Sequence, residues 1–128
     1  MDASTFSRSF DLRFEEGAGL LTARFEGQVT KSDLDAANAR LRQITEGRAV
    51  NAIILDARDS TPRYSPAELI DSVEETLDDI TPKRCAFVSP EPRNEALMLI
   101  ETVSFPYAVR VQAFSTVDAA RDWVLGAL

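Results

Sequence analysis

The chain contains no histidine, and this absence narrows its chemistry more than any motif it carries. Ser-His-Asp and Cys-His catalytic arrangements are excluded, as is every metal site that needs an imidazole ligand. Its one cysteine, Cys85, cannot close an intrachain disulfide or build a thiolate metal site. Cys85 lies in the short apolar run Arg84-Cys85-Ala86-Phe87-Val88 and reads as a small buried strand residue rather than a reactive thiol. Glycine is scarce, and none of the five precedes a Lys-Ser or Lys-Thr pair, so a phosphate-cradling P-loop is absent. Gly17 and Gly19 fall between two strand patterns, with no helix start to hold a pyrophosphate, and read as a hairpin turn. No metal or cofactor site is expected. No apolar run approaches the ~20 residues needed to cross a bilayer. Met1-Asp2-Ala3-Ser4-Thr5 lacks the basic and apolar stretches of a signal peptide, so a cytoplasmic location without membrane insertion is expected.

What is present describes an ordinary globular chain. Its 128 residues and 14.1 kDa predict one domain over 1–128. Surface scaling gives roughly 6,700 Å² exposed when folded against about 20,000 Å² unfolded, enough burial for a core without staples. Hydrophobic residues make up 45% and charged residues 27%, which argues against disorder. The net charge of −7 and pI near 4.6 argue against nucleic acid or an anionic membrane as partner.

Phe6, Arg8, Phe10, Leu12 and Phe14 occupy alternate positions, and Leu21, Ala23 and Phe25 alternate again after a glycine-containing turn. This predicts an antiparallel hairpin. Its aromatic-rich first strand, left near a sheet edge, points to a homodimer; the alternative is an edge protected by charge and shortness. Thr30-Lys31-Ser32-Asp33 then caps a helix carrying Leu34, Ala37, Leu41 and Ile44, with Gly47 as its stop. Val50, Ile53, Ile54 and Leu55 read as a central parallel strand covered on both faces. Ser65-Pro66-Ala67-Glu68 is the strongest helix start, and Pro82 follows the end of that helix. The Cys85 strand, a helix around Leu97 and Ile100 closed by Phe105-Pro106-Tyr107, a strand from Ala108 to Phe114 and a last helix complete the order. The expected class is α/β: a five-stranded mixed, mostly parallel sheet with helices on its faces, in the order β-β-α-β-α-β-α-β-α.

Two places could carry function. The segment Asp56-Ala57-Arg58-Asp59-Ser60-Thr61-Pro62-Arg63-Tyr64 leaves the central strand as a loop and runs into the helix capped by Ser65. In open α/β sheets that rim commonly holds ligands, and Arg58, Arg63, Ser60, Thr61 and Tyr64 could grip a polar or lipid head group. In the plainer reading Asp56 caps backbone amides and the rest is a solvated turn. The helix after Ser65 carries Glu68, Asp71, Glu74, Glu75, Asp78 and Asp79 with no basic residue among them. Like charges at four-residue spacing cost a few tenths of a kcal/mol each, ~0.2–0.5. They form either a solubilising face or a surface for a basic protein partner, with Glu68, Asp71, Glu75, Asp78 and Asp79 as its candidates.

Element order, Ile53-Ile54-Leu55-Asp56, Arg84-Cys85-Ala86-Phe87-Val88 and the closing segment from Val109 to Val124, with its strand ending in Phe and its Ala-x-x-Trp helix, resemble the bacterial STAS and Sec14-like, or SpoIIAA-like, family. The resemblance implies a non-enzymatic domain akin to anti-sigma-factor antagonists, acting through an unidentified protein partner. It also implies a phosphorylatable serine before the helix that follows the middle strand. Ser60, after Asp59, and Ser65, at the helix start, are the two candidates. The likeness to lipid-carrying Sec14 domains meets the limit that 128 residues leave little room for an enclosed acyl cavity.

Overall fold

The computed structural model describes residues 9–91 and 94–126, and the backbone of residues 2–6. Arg8, Pro92 and Leu128, and the side chain of Phe6, lie outside the described residues. Six strands and four helices follow one another as β1 (Asp2–Phe6), β2 (Phe10–Glu15), β3 (Leu20–Thr30), α1 (Lys31–Thr45), β4 (Ala52–Arg63), α2 (Pro66–Asp79), β5 (Arg84–Val88), α3 (Glu95–Ser104), β6 (Arg110–Phe114) and α4 (Val117–Gly126). A 3₁₀ turn, Phe105–Tyr107, ends α3. The sheet runs in sequence order from β1 to β6. Pairs β1–β2 and β2–β3 are antiparallel and the remaining three are parallel.

The expected five-strand frame is therefore present as β2 to β6, and β1 adds an edge strand to it. The opening alternation is shared between β1 and β2, which pair antiparallel with Phe6 opposite Asp11. The pairing of β2 with β3 stops at Phe10 opposite Phe25, whose rings pack with centroids 6.3 Å apart.

Helices α1, α2 and α3 share one face of the sheet and α4 covers the other. On the first face Leu12, Phe14, Leu21, Ala23, Ile53 and Cys85 meet Ala37 and Leu41 of α1 and Leu77 of α2. Phe87 meets Leu97 and Ile100 of α3 on the same side. On the second face Leu20, Ala52, Ile54, Ala86 and Val88 pack against Ala120 and Val124. Strand β4 is thus apolar on both sides, as its continuous run requires. Phe25 and Leu55 are only half-buried, less enclosed than their place in the pattern suggests. The exposed surface, 6946 Å², matches the size expected for this mass.

Local signals hold at the helix starts. Thr30 and Asp33 form a capping box on α1, and Ser65 and Glu68 form one on α2. Thr116 accepts from the Ala119 N–H at 3.2 Å and begins α4. The last strand starts at Arg110 because Ala108 takes a left-handed backbone, φ 59°, after the 3₁₀ turn.

Candidate functional site: the strand-end ribbon, the cavity behind it and the acidic helix

The segment expected to leave the central strand as a loop is strand. Residues 59–63 of β4 continue in parallel register with residues 26–30 of β3, from Glu26 opposite Asp59 to Thr30 opposite Arg63. Long-range pairing overrides the local turn signals of Asp59, Ser60 and Pro62. Pro62 is tolerated because β5 ends opposite Asp56, which leaves the far side of this stretch without a neighbouring strand. The outcome is a two-stranded ribbon that projects from the sheet and delivers the chain into α1 and α2.

A β-bulge marks the root of the ribbon: Arg24 lies opposite Asp56, but Glu26 lies opposite Asp59. One extra residue reverses the facing of everything after it on β4. Asp59 is thereby turned to the α4 side, where it accepts from the Arg24 guanidinium at 2.8 Å. Ser60 is turned to the helix side instead. Asp56, 2% exposed, stays on the α4 side. It receives Arg58 bidentately, Nε and Nη2 each at 2.9 Å, and also the Arg58 backbone N–H at 3.2 Å. The capping role expected of Asp56 is therefore directed to Arg58. These bonds raise the guanidinium pKa of Arg24, chiefly through Asp59, and of Arg58, chiefly through Asp56. The Nε of Arg24 is buried, 4.0 Å from Asp56, without a hydrogen-bond partner.

Among the rim candidates, then, Asp56, Arg58 and Asp59 form a charge network with Arg24 that is satisfied largely from within. Arg63 is exposed and donates to Gln28 at 3.3 Å, and Thr61 is exposed beside it. The two arginines do not converge on one anion. The head-group grip expected of Arg58 and Arg63 is corrected on this point, because Arg58 is committed to a buried carboxylate.

On the helix side, behind the ribbon, lies an apolar cavity of about 110 Å³ between the sheet and α1, α2 and α3. Ser60 and Tyr64 line it with Phe25, Ala57, Val73 and Ala96. The Ser60 hydroxyl donates to the Ala57 carbonyl at 3.0 Å. The half-buried Tyr64 hydroxyl has no hydrogen-bond partner among the described residues, and burial raises its pKa. Of the other polar lining residues, the Asn38 amide donates to the Ser72 carbonyl at 3.1 Å and its oxygen accepts from Thr76 at 2.7 Å, and Ser104 lines the α3 side. An empty apolar cavity of this size costs roughly 2–3 kcal/mol at about 24 cal/mol per Å³.

The acidic helix is less uncompensated than its sequence implies. Glu68 turns back to cap Ser65, accepting from its backbone N–H at 2.8 Å. Arg42 of α1 donates to Glu75 at 2.7 Å and stands 3.5 Å from Asp79. Asp78 accepts from the Tyr107 hydroxyl at 2.5 Å. The carboxylates of α2 therefore divide: Glu75 and Asp79 face α1 and meet a cation, while Glu74 and Asp78 lie toward α3 and Tyr107. Neither α2 nor α3 carries a lysine or arginine. The exposed large apolar side chains Met98 (67%) of α3 and Phe105 (72%) of the turn that ends it stand seven residues apart, on one stripe with Glu101.

Sequence reasoning missed Arg24, Asn38, Arg42, Met98 and Phe105. Asn38 could have been found, being a polar residue four after Leu34 on the inward stripe of its helix. The partners of Arg24 and Arg42 are set only by tertiary packing.

No protein-family model matches the chain, and no curated protein matches it in sequence. Solved structures do. An uncharacterized DUF3478-family protein from Shewanella loihica PV-4, with a SpoIIAA-like fold, superposes with a TM-score of 0.62 at 17% identity, covering 96% of this chain and 93% of that one. The fold is SpoIIAA-like. The Bacillus cell fate determinant SpoIIAA in its phosphorylated form matches with a TM-score of 0.58 at 14% identity, over 91% of this chain and 99% of its own. The anti-sigma factor antagonist SpoIIAA in its unphosphorylated form gives 0.59 at 15%, over 94% and 99%. At these identities the likeness is one of fold. Among the described residues of this SpoIIAA-like domain, no helix is long and apolar enough to cross a membrane.

Proposed function

We propose that this SpoIIAA-like domain acts by binding another protein rather than by catalysis, through the outer face of α2 and α3. One observation carries the reading. Met98 and Phe105, the exposed large hydrophobics, share a stripe with Glu101, and Glu74 and Asp78 of α2 lie toward Tyr107 at its end, on two helices without a cation. An apolar centre with an acidic rim suits a partner segment whose apolar side chains are flanked by lysine or arginine. The fold shared with an anti-sigma factor antagonist supports the same reading. The test compares capture from the source cell by the native chain, by Met98→Ser with Phe105→Ser, and by Glu74→Gln with Asp78→Asn and Glu101→Gln, at low and ~0.15 M salt. A partner lost with both variants, and reconstituted with purified components, supports the face. A partner retained equally by all three overturns it.

A second reading, a phosphorylation switch, is favoured at Ser65 over Ser60. Ser65 is exposed at the start of α2, where first-turn amides and the helix dipole attract a phosphate, whereas Ser60 lines the cavity and is bonded to Ala57. Phosphate at Ser65 would displace Glu68 from its cap by like-charge repulsion. Mass spectrometry of the chain from its source cell tests this; modification at Ser60 and not at Ser65 overturns the assignment.

A further inference from the structure

We infer that the cavity between the sheet and helices α1, α2 and α3 is a binding site for a small apolar molecule that ends in one oxygen group. Three observations meet there. The first is space: about 110 Å³ in a core otherwise filled by interdigitated side chains. A dry apolar cavity of ~150 Å³ admits benzene, so this partly open one suits a ligand of about five to seven heavy atoms.

The second is chemistry. Most of the wall is hydrocarbon, and Asn38, Ser72 and Thr76 spend their polar atoms on one another. Besides Ser104 on the α3 side, two hydroxyls on the ribbon side retain capacity. Tyr64 has a donor with no partner among the described residues, and the Ser60 oxygen still accepts after donating to Ala57. A terminal hydroxyl on the ligand can accept from Tyr64 and donate to Ser60. A bare hydrocarbon would fill the space without engaging either hydroxyl.

The third is construction. Without the bulge at the ribbon root, Ser60 would face the α4 side and Asp59 would face the helix side, placing a carboxylate against an apolar wall. The extra residue on β4 exchanges them. The cavity also reaches Ala57 and Ser60 in the carboxyl-terminal half of β4, toward the rim at which open α/β sheets hold ligands. Its contents are independent of the α2–α3 outer face, so this site stands or falls apart from the protein-binding proposal.

Phenol and benzene serve as the probe pair, titrated into the ¹⁵N-labelled chain and followed by amide shifts. Phenol is expected to bind with saturable shifts centred on residues 57–64 of β4, on Val73 and on Ala96, about tenfold tighter than benzene. Tyr64→Phe should remove that tenfold preference and leave benzene binding unchanged. Ala57→Leu should fill the space and weaken both probes by at least tenfold; Ala96→Leu provides the same plug from α3 if the first variant is misfolded by its amide spectrum. The proposal is overturned by the absence of saturable shifts with either probe, or by binding that a folded plug variant leaves intact. Equal affinity for phenol and benzene in the native chain overturns the assignment of an oxygen group.

Discussion

Arg121 of α4 holds Glu15 of β2 through two parallel bonds of 2.7 and 2.6 Å, joining residues 106 apart in the chain. It ties α4, which packs over β4 and β5, to β2 further along the sheet. The bond to Arg121 is also the main reason the Glu15 carboxyl titrates below its ordinary value.

Glu15→Gln should therefore destabilise the chain by about 0.5–1 kcal/mol at neutral pH, the range for a partly exposed bidentate ion pair. Because the folded pKa is lowered, this stabilisation is full above the unfolded carboxyl pKa of 4.5 and is lost as pH falls through the folded value. Urea denaturation along a pH series downward from 7 checks it: the gap between the two proteins should be full at pH 7 and shrink steadily below 4.5. A gap independent of pH would refute the linkage.

Gly19 adopts φ +63° in the turn after β2, and a Cβ there would lie 3.0 Å from the Ala49 carbonyl and 2.5 Å from the Asn51 amide. Its own carbonyl accepts from Asn51 and Ala52, pinning the start of β4. Gly19→Ala should cost about 1–3 kcal/mol, whereas Gly17→Ala, with open space around it, should cost well under 1. Equal thermal midpoints for the two variants would contradict this.

Ser65→Ala removes the oxygen that accepts from the Glu68 N–H and should cost about 1 kcal/mol. Amide exchange localises the effect: protection should fall in the first turn of α2 and remain in α1, which keeps its own Thr30 cap. Uniform loss across both helices would place the effect elsewhere.

Cys85 is buried, and burial pushes its thiol pKa up to about 12. It should resist an aromatic disulfide reagent at pH 8 in native buffer and react fully in denaturant. Since the unfolded thiol ionises near 9 and the folded one does not, stability should decline as pH rises between these values. Rapid labelling of the native chain would show that β5 opens readily.

The helix starts were legible because their signals are local. Ser65-Pro66-Ala67-Glu68 contains its cap, its proline and its reciprocal acid within four residues, and the structure uses all of them. The ribbon was not legible, since Asp59, Ser60 and Pro62 lack strand propensity and owe their extension to pairing with Glu26, Gly27 and Val29. The acidic character of α2 was plain from its sequence. Which carboxylates stay unpaired was not, because that depends on Arg42 from another helix and on Tyr107 beyond α3. The bulge hid the division of the rim: strict alternation would put Ser60 and Asp56 on the same face.

The ribbon pairs Thr30 with Arg63, and each of these residues stands within two positions of a helix cap. The starts of α1 and α2 are thus coupled like two hands on one lever. The backbone hydrogen bonds of the ribbon fix the two starts relative to each other, so the geometry of the seam where Asn38 holds Ser72 is set in part by strand register rather than by helix packing alone.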